Sequence, residues 1–298
     1  MVRVDRRRFL VGGIGGLACL FGVGELVEHG ILPGKQRLDS LLGDCSVPEQ
    51  DLTFDALGHA STGTFFSRAR GMRVGYTVAY PPGHGPGSRL PLVLYLHAFG
   101  GNHASLLGGL TLARALAARE RGRALPPMAA VAVDGGGLYW NPHPGDDPLA
   151  MLVEELVPRC RRLGLGRAPG SIGVVGISMG GYGALLLAEK HPHLVAAAAA
   201  ISPAVWTSYP QARAANAGAF ASAADFATDD VITHAGALAG MPVRIASGND
   251  DPFHPGVVAL ARRLPTSALV EFTAGCHDDT FFASQQHQSL AFLGSHLS

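Results

Sequence analysis

Short apolar runs recur along the chain after residue 70, and stretches with a helical pattern separate them. The runs that are nearly continuous lie at residues 92–97, 129–134, 172–177, 195–201, 243–246 and 268–272. Residues 72–80 instead alternate around Val74, Tyr76 and Val78, which indicates a half-buried strand. Continuous apolar runs of this length are typical of strands that are covered on both faces, as in a parallel sheet.

The stretches between these strands predict the helices. They lie at residues 106–120, 149–163, 180–190, 257–264 and 281–296. Alternation of strand and helix predicts an α/β fold with a doubly wound, mostly parallel sheet and helices on both faces. We expect one domain over residues 51–298, preceded by a polar N-terminal arm at 28–50.

Composition excludes several classes of protein. Of the 298 residues 47% are hydrophobic, which is enough for a packed core and excludes a wholly disordered chain. The 23 basic and 23 acidic residues balance, so no basic face is indicated for nucleic acid. The 40 glycines and 20 prolines indicate many tight turns and argue against a helical bundle.

The N-terminus predicts export. Arginines at positions 6–8 precede an apolar, glycine-rich run at 9–23, and this pattern resembles a twin-arginine export signal. We expect residues 1–27 to act as a signal peptide or anchor and the protein to be secreted or held in the cell envelope. The remaining chain would hold Cys45, Cys160 and Cys276, of which at most one pair can form a disulfide. The sequence does not indicate which pair.

A nucleophile motif follows one of the predicted strands. Residues 176–180 read Gly-Ile-Ser-Met-Gly, directly after the strand at 172–176 and before a helical stretch. In this strand–turn–helix setting, G-x-S-x-G forms a sharp turn that exposes the serine hydroxyl above the carboxyl edge of the sheet. Ser178 is therefore the candidate nucleophile.

This segment and its continuation to residue 192 resemble the α/β-hydrolase superfamily. The similarity is to the esterase branch that includes esterase D and the antigen 85 mycolyltransferases, and it extends over roughly residues 70–298. The resemblance implies an α/β-hydrolase fold and acyl-group chemistry through a serine, an acid and a histidine in that chain order.

The candidate acid follows the strand at 243–246. Either Asp250 or Asp251 could orient the base, since both lie just past the strand end, at the same sheet edge as Ser178. The spacing from Gly248 and the following Pro252 favour Asp251. The other aspartate could cap the next helix.

The candidate base is His277, which follows the strand at 268–272 and matches the position of the family's histidine. Three other histidines that do not follow a core strand directly are alternatives, namely His234, His254 and His287. Asp278 and Asp279 are predicted to cap the last helix.

Two backbone N–H groups are expected to form the oxyanion hole. One belongs to Met179, the residue after the nucleophile. The other is assigned to Phe99, because residues 97–101 (His-Ala-Phe-Gly-Gly) resemble the H-G-x-G loop of esterases, although Ala98 replaces the usual glycine.

Two segments are predicted to face the substrate. Tyr139 and Trp140, on the loop at 134–147, would either wall the acyl pocket or plug the edge of the sheet. Residues 206–240 are Ala-rich and lie where α/β-hydrolases often carry a lid.

These observations predict an exported serine esterase that hydrolyses carboxylic esters of small molecules or lipids. The mechanism requires no cofactor and no metal; the pair His191 and His193 has no third ligand in view and is interpreted as a surface loop. One alternative is transfer of the acyl group to a sugar hydroxyl, as in the mycolyltransferases. Another is a non-catalytic, carbohydrate-binding envelope protein. Membrane contact is expected only through the N-terminal segment.

Overall fold

The computed structural model describes residues 45–108 and 112–298. The strands are β1 (Leu52–Phe54), β2 (Ala60–Ser67), β3 (Met72–Ala79), β4 (Leu92–Leu96), β5 (Ala118–Glu120), β6 (Arg123–Ala124), β7 (Ala129–Val133), β8 (Ile172–Ile177), β9 (Ala197–Ile201), β10 (Val243–Gly248) and β11 (Leu269–Thr273). Eight of them form one sheet in the order β11-β10-β9-β8-β4-β7-β3-β2. The pairs β2–β3 and β3–β7 are antiparallel, and the other neighbours are parallel.

The sheet is covered on both faces, as its apolar runs predict. β4, β7, β8, β9 and β10 are buried along their whole length. Successive residues belong to opposite layers of the core: Leu94 packs into one apolar cluster, and its neighbours Val93 and Tyr95 pack into another. This alternation follows from the period of two along a strand. The predicted α/β-hydrolase fold, doubly wound and mostly parallel, is confirmed.

Helices connect the strands on both faces. They are α1 (Leu112–Leu116), α2 (Pro148–Ala150), α3 (Val157–Arg162), α4 (Met179–Lys190), α5 (Tyr209–Ala215), α6 (Ala223–Thr228), α7 (His254–Ala261) and α8 (Asp279–Gly294). A π-helical segment, Met151–Leu156, joins α2 to α3, and 3₁₀ turns lie at His103–Leu106 and Ala235–Leu238.

The predicted helix at 106–120 is wrong at its C-terminal end. Residues Ala118–Glu120 form β5, which pairs with both β1 and β6 in a small antiparallel sheet. The pairing partners lie far away in sequence or in a polar stretch, so the local pattern of residues 106–120 does not reveal them. This small sheet attaches the N-terminal arm to the body of the protein.

Residues 206–240 form short helices that are anchored to the body. The Asn141 side chain donates to the carbonyl of Ala219 at 2.9 Å, and the Tyr182 hydroxyl donates to the carbonyl of Asp229 at 2.7 Å. Two aromatic residues of the segment, Phe220 and Phe226, are buried. Its role as a lid stays a prediction.

Cys45 and Cys276 form a disulfide, and Cys160 is a buried free thiol. The predicted signal segment at 1–27 and most of the arm at 28–50 lie outside the described residues. Within the described part of the chain, no helix has the length and apolar character needed to cross a membrane.

Candidate active site

Ser178 occupies a strained turn between β8 and α4. Its φ of +54° lies in a region that residues with a side chain rarely adopt. Glycines on both sides permit the turn: a Cβ at Gly176 would collide with the carbonyl oxygen of Gly180, and a Cβ at Gly180 would collide with that of Leu96. The absence of a Cβ at these two positions therefore allows the backbone of α4 to lie in direct contact with the ends of β8 and β4. This is the geometry of the predicted nucleophile turn.

Ser178, His277 and Asp251 are joined by hydrogen bonds. Ser178 Oγ lies 2.8 Å from His277 Nε2, and His277 Nδ1 lies 2.9 Å from Asp251 Oδ2. Because an ionised carboxylate can only accept, Nδ1 carries the proton and Nε2 is free to accept from the serine hydroxyl. We call this arrangement the hydrogen-bonded triad. It can remove a proton from Ser178 and stabilise the resulting imidazolium.

The carboxylate in the hydrogen-bonded triad is that of Asp251. Asp251 is 3% exposed, and its second carboxylate oxygen, Oδ1, accepts a hydrogen bond from the backbone N–H of Phe253 at 2.8 Å. The N–H of Asp250 instead bonds to the carbonyl of Gly275 at 3.1 Å. Of the alternative bases, His254 directs Nδ1 toward the carbonyl of Gly248. Among the four candidate histidines, His277 is the one that bridges the serine and the acid.

The two predicted oxyanion donors lie on adjacent loops. β4 and β8 are neighbours, with Leu96 paired to Gly176, so the loops after these strands emerge side by side. Met179 is the first residue of α4, and N–H groups in the first turn of a helix have no intrahelical partner. Phe99 lies in a turn closed by the N–H of Gly101 on the carbonyl of Ala98 at 3.0 Å. Its ring is exposed, at 64%.

His97 fixes the loop that carries Phe99. It is fully buried; Nε2 accepts from the N–H of Gly135 at 3.0 Å, and Nδ1 donates to the carbonyl of Ala98 at 2.9 Å. Burial lowers the pKa of this imidazole, so it stays neutral and keeps both bonds. Sequence reasoning missed this role, although a histidine that ends a buried strand is a usable signal.

A row of aromatic rings extends from the triad. The His277 ring lies 4.9 Å from the ring of Phe282 and 5.0 Å from that of Phe253. The Trp206 ring is 5.7 Å from Phe253, and that of Tyr139 is 4.7 Å from Trp206. We call these four side chains the aromatic wall. Of these four residues, Tyr139 was predicted from the sequence to face the substrate; the signal for Phe253 is its position two residues after Asp251.

Trp140 is predicted either to wall the acyl pocket or to plug the edge of the sheet, and this role stays a prediction. The residue is fully buried, its ring lies 5.1 Å from that of His97, and a Cβ at Gly183 would meet the indole. It packs in the core beneath the loop that carries Phe99, which favours the second of these two interpretations. Tyr139 is 6% exposed, and burial raises its pKa to about 12, which keeps the hydroxyl neutral.

One group of side chains in the described residues could bring three potential metal ligands together. It consists of Cys45, Cys276 and Asp278, whose ligand atoms lie within 4.8 Å of one another. The two sulfurs are bonded to each other and lack the thiolate charge that binds metals. His191 and His193 do not belong to this group. That the chemistry needs no metal or cofactor stays a prediction.

Comparison with solved structures relates this fold to ester hydrolases. A ferulic acid esterase matches with a TM-score of 0.68 and 18% identity, over 80% of this chain and 99% of that one. An S-formylglutathione hydrolase from Agrobacterium tumefaciens matches with a TM-score of 0.65 and 17% identity, over 83% and 98%. The fluorophosphonate-binding serine hydrolase F of Staphylococcus aureus matches with a TM-score of 0.64 and 15% identity, over 80% and 99%. At these identities the similarity establishes the fold.

The family follows from the sequence as a whole. No curated protein sequence matches significantly. The family model described as "Putative esterase" matches residues 67–287, which include every residue of the triad. The chain therefore belongs to this esterase family and has an α/β-hydrolase fold.

Proposed function

We propose that the protein is an exported carboxylesterase in which Ser178 is the nucleophile, His277 the general base and Asp251 the orienting acid. The observation that carries this proposal is the continuous set of hydrogen bonds from Ser178 Oγ through the His277 ring to Asp251. The strained turn supports it as well, because strained backbone persists at sites where geometry serves function.

Acylation begins when His277 Nε2 takes the proton of Ser178 as Oγ attacks the ester carbonyl. The N–H groups of Met179 and Phe99 stabilise the negative charge that develops on the carbonyl oxygen. The positive end of α4, directly under Ser178, adds to this stabilisation. His277 then gives its proton to the departing alcohol, and the acyl group stays on Oγ.

Deacylation repeats the same steps with water as the nucleophile. His277 takes a proton from water, the new oxyanion uses the same two donors, and Ser178 regains its proton as the acid leaves. Asp251 holds the His277 ring in place and stabilises the imidazolium. Its burial and its bond from the Phe253 N–H fix it in that position.

The aromatic wall supports a flat or apolar acyl group as the preferred substrate. Phe253 and Phe282 flank the base, and Phe99 adds an exposed ring on the oxyanion loop. Two of the similar structures are enzymes named for aromatic or small thiol esters, a ferulic acid esterase and an S-formylglutathione hydrolase. Between these, the wall favours the aromatic acyl class for this chain.

Hydrolysis of methyl ferulate and of p-nitrophenyl acetate, with trehalose present and absent, tests the proposal. We expect free acid from both esters, with kcat/KM higher for the ferulate, and no acid from Ser178→Ala. A sugar ester as the main product would establish acyl transfer instead. No turnover of any ester by folded protein would contradict the proposal and favour a non-catalytic role.

Export is part of the proposal and has its own test. The arginines at 6–8 support it, and so does the Cys45–Cys276 disulfide, because disulfides persist in oxidising compartments. We expect the double substitution Arg7→Lys/Arg8→Lys to keep the protein in the cytoplasm, whereas Arg3→Lys leaves export intact. Equal distribution of all three proteins between the fractions would contradict export through this signal.

A further inference from the structure

His277 is carried by a loop at the margin of the sheet. The preceding strand, β11, is the edge strand and pairs only with β10 among the described residues, and all five of its residues are at least partly exposed. Even so, the His277 ring must hold bonds of 2.8 Å and 2.9 Å to two other segments. An edge strand has half the pairing contacts of a central strand, so this loop needs support from elsewhere.

The loop that carries Asp251 supports one side of the loop that carries His277. The N–H of Asn249 donates to the carbonyl of Thr273 at 2.8 Å, and the N–H of Asp250 donates to that of Gly275 at 3.1 Å. Gly248 and Gly275 approach so closely that a Cβ at position 248 would collide with the Gly275 carbonyl. These contacts fix one side of the loop that carries His277 to the loop that carries Asp251.

The N-terminal arm supports the other side of this loop. Cys276, directly before His277, is fully buried and is bonded to Cys45. From Cys45 the arm runs over α8, where the Gln50 side chain donates to the carbonyl of Ser284 at 2.6 Å. It then enters β1, where Leu52 pairs with Glu120 of β5. The described part of the arm is thus held by its side chains and by β1, and its disulfide joins it to the residue next to the base.

We propose that the Cys45–Cys276 disulfide is a positioning element for His277, so that ester hydrolysis depends on its oxidised state. This inference rests on the proposed function. The sulfurs take no part in the reaction; they act through the adjacent residue. Misplacement of a catalytic group by about 1 Å can lower the rate on the order of 100-fold, and His277 must meet two partners at once.

The disulfide can be opened chemically without altering the sequence. Reduction consumes two electrons and two protons from a small dithiol, which is itself oxidised to a disulfide, and leaves two thiols at positions 45 and 276. Cys45 is partly exposed, so this end of the disulfide lies near the surface. Cys160 is a fully buried thiol whose pKa is raised by burial to about 12, so it is inert to exchange and provides a matched cysteine control.

The test compares four full-length proteins at room temperature: oxidised wild type, dithiothreitol-treated wild type, Cys45→Ser/Cys276→Ser, and Cys160→Ala. The measurements are kcat and KM on p-nitrophenyl acetate, the rate of fluorophosphonate labelling, and near-ultraviolet circular dichroism to verify folding. We expect kcat and the labelling rate to fall about 10- to 100-fold in the reduced and doubly substituted proteins, with KM changed less than about threefold. Cys160→Ala should match the wild type.

Further controls separate the possible results. Dithiothreitol should not lower the activity of the double variant further, and reoxidation should restore the wild type. Unchanged kcat in folded reduced protein, even with a lower melting temperature, would overturn the proposal and leave the disulfide a purely stabilising role. Complete unfolding of both reduced and substituted protein would overturn it as well. Inactive oxidised wild type would instead contradict the proposed function itself.

Discussion

Asp250 and Asp251 are identical in chemistry and adjacent in sequence, yet their surroundings differ. Asp251 is buried and bonded to His277 and to the Phe253 N–H. Asp250 is partly exposed, and its backbone N–H donates a hydrogen bond to the carbonyl of Gly275. A carboxylate can hold this imidazole in one tautomer when it accepts a hydrogen bond from Nδ1. The turn after β10 places the Asp251 side chain within that distance.

The two aspartates therefore provide a matched pair of variants. We expect Asp251→Asn to lower kcat about 1,000- to 10,000-fold, because an amide favours the wrong tautomer of His277. Asp250→Asn should lower it less than about tenfold, since the main-chain bond to Gly275 survives the substitution. Steady-state kinetics on an ester substrate measures both. Equal losses in the two variants would contradict the assignment of the acid.

Glu189, on α4, is a second residue whose surroundings dominate its behaviour. It is 8% exposed, and within the described part of the chain neither carboxyl oxygen has a hydrogen-bond partner. Burial raises its pKa from 4.5 to about 9, and the nearby Asp230 and Asp229 add to the shift. The carboxyl is therefore protonated in the folded protein at neutral pH, whereas in the unfolded chain it is ionised.

This difference makes the folded state less stable as pH rises. The contribution of Glu189 to the free energy of unfolding is fully present below pH 4.5. It is lost progressively up to about pH 9, because unfolding releases a proton from this carboxyl group in that range. Glu189→Gln should remove this loss and raise the free energy of unfolding at pH 7 on the order of 2 kcal/mol. Urea unfolding between pH 5 and 9 measures it, with the exposed Glu154→Gln as control. A Glu189→Gln protein with the wild-type pH dependence would contradict a neutral Glu189.

At the level of elements, the turn at Ser178 depends on close approach of β8, β4 and α4. The start of α4 lies against the end of β4, so there is no room for a side chain at Gly180. This contact sets the Met179 N–H beside the loop that carries Phe99. The close packing of α4 against β4 therefore also fixes the position of the turn at Ser178.

Adding one methyl group tests that constraint. Gly180→Ala should destabilise the protein by roughly 1–3 kcal/mol and displace the turn, because the Cβ meets backbone, which cannot rotate away. Gly236→Ala is the matched control, since a Cβ there has no neighbour within 4 Å. Urea unfolding gives the stabilities and ester hydrolysis gives the activity. A fully active, fully stable Gly180→Ala protein would show that the contact is looser than described.

The sequence patterns identify some elements well and others poorly, for physical reasons. β4 and β8 are buried on both faces, so composition alone reveals them. β2 lies at the edge of the main sheet, and β5 is the middle strand of the small one; both contain polar or charged residues, so their pairing is decided by partners that the local pattern does not reveal. For the same reason the predicted helix at 106–120 extended too far.

On the scale of the whole molecule, the site joins segments from widely separated parts of the chain. Chain order and strand ends were enough to predict Ser178 and His277 and to narrow the acid to two residues. The partner of Cys276 could not be predicted, because Cys45 lies 231 residues earlier and nothing local connects them. The aromatic wall also required the fold, since Trp206 and Phe282 become neighbours of the site only through packing.

The most direct test of the account is covalent labelling by a fluorophosphonate probe, read by mass spectrometry of the digested protein. Such probes react with a serine that is activated by a neighbouring base. We predict a single adduct on Ser178 in the wild type, none in Ser178→Ala, and labelling slowed at least about 100-fold in His277→Gln. Well-folded wild type that stays unlabelled, or an adduct that persists in Ser178→Ala, would contradict the account.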